Sequence, residues 1–68
     1  MQRWEYLYVQ AYFALDNGAL HLSQLNFQNL KDWKKAPAPM EFLNRYGAQG
    51  WGLVSVEGHE FYFKRPTQ

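Results

Sequence analysis

The chain has 68 residues, no cysteine, two histidines and a formal net charge of +1. This excludes a disulfide scaffold and a thiolate zinc site, and it leaves no strong field to attract nucleic acid or anionic lipid. A domain this short buries only about 60% of the surface its unfolded chain exposes, and without disulfide or metal staples oligomerisation is the remedy left open.

Aromatic residues are unusually frequent, at 19%; such rings either fill a core or line a contact surface. No stretch approaches the roughly 20 apolar residues that span a bilayer. With no Cys and no apolar N-terminal run, the expected setting is a reducing cytoplasm.

Residues Arg3 to Leu15, "RWEYLYVQAYFAL", are rich in aromatic and β-branched types and lack Gly and Pro, which predicts a long strand. Its period of two puts Leu7, Val9, Ala11, Phe13 and Leu15 on one face and Trp4, Tyr6, Tyr8, Gln10 and Tyr12 on the other. "DNGA" (Asp16 to Ala19) carries the Asn-Gly signal of a type I′ turn. A second strand from about Leu20 to Phe27 completes a long hairpin over residues 3–27.

"QNLKDWKKAPAP" then shows no period and ends in prolines, so residues 28–38 read as a loop, with room for a helical turn around Leu30 to Lys34 and for Trp33 to lie on something apolar. Pro39 suits the first turn of a helix over 39–49. Met40, Leu43 and Gly47, with Phe42 and Tyr46 alongside, make one broad stripe at helical spacing. Gly50 sits where the helix needs a left-handed C′ residue. Gly47 would let the helix approach the sheet closely, and Trp51 would start the next strand with its ring filling the space beside that contact. A bulge or close approach at Gly52 is possible. "WGLVSVE", a turn at Gly58-His59 and "EFYFKR" give a second hairpin over 51–65. The expected fold is α+β: a single ββαββ domain over 1–68, with a four-stranded, mainly antiparallel sheet and one helix packed on one face.

Trp4-Glu5-Tyr6, then Leu43-Asn44, Gly47, Gly50-Trp51 and Leu53-Val54-Ser55-Val56, then Phe63-Lys64-Arg65, resemble the small bacterial family known as domain of unknown function 4177. The match brackets the domain and covers under half its positions. It departs at Gly52, where that family typically has Glu, and over Asp16 to Pro39. The resemblance implies a helix on an antiparallel sheet and no catalytic residues.

The remaining chemistry is sparse. The glycines of "GAQGWG" follow a helix rather than lead into one, which suits capping and not a phosphate loop, and the Gly-x-x-Gly here leads into a strand, unlike an RNA-clamping loop. His21 and His59 have no ligand-spaced partner, and Ser23 and Ser55 lack a nucleophile-elbow setting. Glu5, Asp16, Asp32, Glu41, Glu57 and Glu60 show no pairing that singles them out for acid-base work. No enzyme activity, metal or cofactor is expected.

The stronger signal is a first strand apolar or aromatic on both sides, the pattern of a strand buried on both faces. Three covers are possible: the long loop, with Trp33 across Tyr6 or Tyr8; a second copy or a larger protein partner; or single-stranded nucleic acid or another stacking ligand on Tyr6, Tyr8 and Tyr12. Arg3, Lys64 and Arg65, or Lys34 and Lys35 of "KDWKK", could then contact an anion. The loop's three lysines are too few for membrane attachment. The expected role is a small non-catalytic interaction or self-assembly module using Trp4, Tyr6, Tyr8, Tyr12 and Trp33, ahead of nucleic-acid binding.

Overall fold

The structure is a computed structural model that describes residues 2–67. Its first strand, β1 (Trp4–Asp16), turns at Asn17 and Gly18 into β2 (Ala19–Leu25). Both turn residues have positive φ, 51° and 77°, as a type I′ turn requires, so its twist matches that of the strands. A second tight turn at Asn26 and Phe27 leads into β3 (Gln28–Asn29). After a 3-10 turn at Trp33–Lys35 come the helix α1 (Pro39–Gly47), β4 (Gly52–Glu57) and β5 (Glu60–Pro66).

Among the described residues the sheet has five strands in the order β3-β2-β1-β5-β4, every neighbouring pair antiparallel. The four-strand expectation is corrected by β3, which pairs Gln28 and Asn29 with Leu25 and Gln24 inside the stretch read as a loop. Two polar residues are too few to show a period. The long first strand is shared in series: Trp4 to Gln10 pair with β5 and Ala11 to Asp16 with β2. This stagger stretches the molecule to 48 × 20 × 18 Å.

Val9, Ala11, Leu22, Phe42, Phe61 and Phe63 form the buried core between sheet and helix. Phe42 meets Phe13 and Phe61 edge-on, each at 5.5 Å between centroids, and Tyr46 stacks on Phe63 at 4.9 Å. The helix therefore faces the sheet with Phe42, Leu43 and Tyr46. Met40, placed on that stripe by spacing, is 67% exposed. The i, i+4 pair of large rings buries more area than Met40 with Gly47 could, and it sets the helix's rotation.

The helix ends as its glycine suggests. Trp51 N–H donates to the Tyr46 carbonyl at 3.1 Å and Gly50 N–H to the Gly47 carbonyl at 2.9 Å, the two bonds of a Schellman cap, with Gly50 at φ 90°. Gly47 is a correction: a Cβ there would meet nothing within 4 Å, so no close approach depends on it. Gly50→Ala should therefore lower stability by about 1 kcal/mol, and Gly47→Ala should raise it by about 0.5 to 1 kcal/mol through helix propensity. Urea midpoints of the two variants, measured at one protein concentration, should move in opposite directions.

Trp51 precedes β4 and is half-buried at the edge of the core instead of filling it. The Arg65 guanidinium lies 4.2 Å over its ring, pairs with Glu5 across β1 and β5, and donates from Nη1 to the Gln49 carbonyl at 2.8 Å. The sheet's irregularity on β4 falls between Leu53 and Ser55, just past Gly52.

Candidate functional site

Alternation along β1 sends Leu7, Val9 and Phe13 towards the core and Trp4, Tyr6, Tyr8 and Tyr12 to the opposite side. Among the described residues, α1 packs on the other side, against the core. Trp4 is 43% exposed, Tyr6 70%, Tyr8 42% and Tyr12 40%. At the rise of an extended strand the row runs for about 27 Å.

Strand β5 supplies the neighbouring row. Tyr62 stands opposite Tyr8, their rings 5.5 Å apart, and Lys64 stands opposite Tyr6 with Nζ 4.3 Å from the Trp4 ring. Glu60 stands opposite Gln10 and accepts a hydrogen bond from the Tyr8 hydroxyl at 3.1 Å. Glu57 lies opposite Glu60 across β4 and β5, and His59, in the turn between them, stacks on Tyr12 at 3.6 Å. The face is thus bipolar: Lys64 at the Trp4 end, Glu57 and Glu60 at the other, while Arg3, just before β1, has the parity of Glu5 and Leu7 on the opposite side. Partial burial raises the Tyr8 hydroxyl above its ordinary value, and the hydrogen bond and charge of Glu60 add to it. Tyr62 is raised by burial first and by the Glu60 and Glu57 charges after it. Both phenols stay neutral donors at physiological pH.

Gln10 belongs to this face by parity yet is only 3% exposed. Its Oε1 accepts from Phe27 N–H at 2.8 Å, its Nε2 donates to Gln24 Oε1 at 2.6 Å, and Gln24 Nε2 donates to Asn29 Oδ1 at 3.0 Å. Its carbonyl accepts from Asn26 N–H at 2.8 Å. These bonds hold the second turn, in which Asn26 has φ 49° and Phe27 has φ 68°. A left-handed Phe is costly, on the order of 1 to 2 kcal/mol, and its ring is 71% exposed. With Tyr8, Tyr12, His59, Glu57 and Glu60 it borders a cleft of about 340 Å³.

The long connection covers only the far end of the face. Leu22 N–H donates to the Pro37 carbonyl at 2.9 Å, and His21 Nδ1 lies 3.0 Å from the Ala36 carbonyl, tying the 3-10 turn to β2. Half-buried Trp33 shares a groove of about 540 Å³ with Tyr12 and Ala14. It does not lie across Tyr6 or Tyr8. Lys34, its Nζ 5.8 Å from the Trp33 ring, and Lys35 stay with that turn beside β2, whereas Lys64 lies on β5, on the other side of β1. Arg65 is on the helix side, spent on Glu5, Gln49 and Trp51, so the proposed anion contacts do not gather into one patch.

Sequence reasoning left Tyr62, Glu60, Glu57, His59, Gln10 and Phe27 out of the contact surface, although it placed Gln10 on that face and weighed His59, Glu57 and Glu60 for other chemistry. The period of two on "EFYFKR" places Glu60, Tyr62 and Lys64 together and could have found the first two. Nothing local marks Phe27, because only a partner sixteen and more residues away holds its turn. Compared with known proteins, the chain matches no family model, no curated protein and no solved structure, so the family resemblance stands on the quoted residues alone.

Proposed function

We propose that the chain is a small non-catalytic, cytoplasmic interaction module that docks through the uncovered sheet face, and that the occupant is a second copy of itself. The observation carrying this reading is the row Trp4, Tyr6, Tyr8 and Tyr12, each at least 40% exposed on a rigid sheet. Large amphipathic rings held by a scaffold are what interface centres are enriched in. A second sheet laid on the first is the common way to bury such a face. Self-association also supplies apolar burial to a chain with six buried apolar residues among those described.

The competing occupant is single-stranded nucleic acid stacked on Tyr6, Tyr8 and Tyr12. Glu57 and Glu60 on the same face oppose phosphate, which favours protein. Light scattering across a concentration series should show a dimer for the native chain and a monomer for Tyr6→Ser with Tyr8→Ser, their circular dichroism spectra alike. A native chain that stays monomeric, or a dimer that the double substitution leaves intact, would overturn the reading. Salt-dependent oligonucleotide binding lost in the same variant would hand the face to nucleic acid.

A further inference from the structure

Resting on that reading, we infer that the two copies meet with their strands antiparallel, about a two-fold axis that crosses β1 and β5 at Tyr8 and Tyr62, so that Lys64 of each copy meets Glu60 of the other.

The argument is one of symmetry and charge. Two identical sheets stacked face to face by symmetry are related by a two-fold axis lying between them, and the two limiting directions of that axis are along the strands and across them. An axis along β5 would set Lys64 over Lys64 and Glu60 over Glu60. Like charges brought together in a desolvated interface are strongly unfavourable. An axis across the strands reverses one copy along its length. On β5, Tyr62 lies midway between Glu60 and Lys64, which are about 13 Å apart at strand rise. An axis at Tyr62 therefore carries each Lys64 onto the partner copy's Glu60.

The same operation pairs the rest of the face well. Tyr8 and Tyr62 stand opposite one another in the register, so each approaches its own counterpart at the centre, where aromatic anchors belong. Trp4 falls towards the Tyr12 and His59 stack of the other copy. Tyr6 falls over the partner copy's Gln10, which recedes into the sheet. On β4, Gly52 is level with Lys64 and Glu57 with Glu60, so Glu57 meets a glycine and no second charge. The cleft beside Phe27, with its two carboxylates, takes up the incoming ammonium. Lys64 is already held over the Trp4 ring, so little side-chain freedom remains to be lost on docking.

A charge swap tests the arrangement. Variant A carries Glu60→Lys; variant B carries Lys64→Glu. Each alone should dimerise at least tenfold more weakly than the native chain at low salt, and an equimolar mixture should recover near-native dimerisation. If the native chain dimerises while A and B do so as tightly, or the mixture fails to recover, the antiparallel docking is overturned and the face reading survives. A native chain that never dimerises sinks the face reading first. Should either variant fail to fold, the native protein still decides: a mixture of ¹⁴N- and ¹⁵N-labelled chains treated with a carbodiimide should yield a mixed-isotope amide between Lys64 and Glu60. A mixed-isotope link from Lys64 to other carboxylates only would refute it.

Discussion

Replacing Phe42 by Ala should destabilise the fold by about 3 to 5 kcal/mol, the range for emptying a packed aromatic site. Phe42 is 2% exposed, and Phe13, Phe61 and Tyr46 all meet its ring edge-on, at 5.5, 5.5 and 5.2 Å. No other helix residue reaches as deep, since Leu43 and Tyr46 are only half-buried. A chain of 68 residues has on the order of 3 to 10 kcal/mol of stability in all. Much of the variant should therefore be unfolded at room temperature, as urea titration followed by tryptophan fluorescence would read. Phe42→Leu, which keeps most of the volume, should lose far less. A loss below about 1.5 kcal/mol for Phe42→Ala would mean that the helix is held to the sheet by something other than this ring.

What could be read from the sequence was local chemistry. Asn17 and Gly18 specify their turn, Pro39 and Gly50 bracket the helix, and strict alternation along β1 separates the two faces before any partner strand is known. The features that escaped depend on distant contacts. Whether Met40 or Phe42 leads the helix stripe is decided by Phe13 and Phe61, which wait on the sheet. Gly47 suggested a close approach because a small residue on an apolar stripe often means one, yet a Cβ at this position would meet only open space.

The candidate site divides in the same way. The rings of β1 were visible, but their electrostatic setting was not, because it comes from β5 and from the turn after β4. Arg65 and Lys64 are neighbours in sequence and carry the same charge. The pleat sends one to Trp51 and the other to Trp4. Only with β5 paired to β1 does a row of tyrosines become a face with a basic and an acidic end.

The second large effect is expected at Gln10, and it links the fold to that face. Gln10→Leu keeps the volume but leaves Phe27 N–H and Gln24 Oε1 without their partner, at 1 to 3 kcal/mol for a buried group and less where water can enter. A loss of about 2 to 3 kcal/mol is the expected result of urea unfolding. The left-handed Phe27 should also relax, since its backbone is costly to hold and this bond helps to hold it. Dimerisation should weaken with it, because Phe27 walls the cleft that in the proposed dimer would receive the partner copy's Lys64. Phe27→Gly separates the two consequences. It removes the backbone penalty, so the fold should gain about 1 kcal/mol, while the missing wall should still weaken dimerisation. If stability and association instead rise together in Phe27→Gly, the ring takes no part in docking, and its turn would be an unrelieved cost of folding β3 against β2.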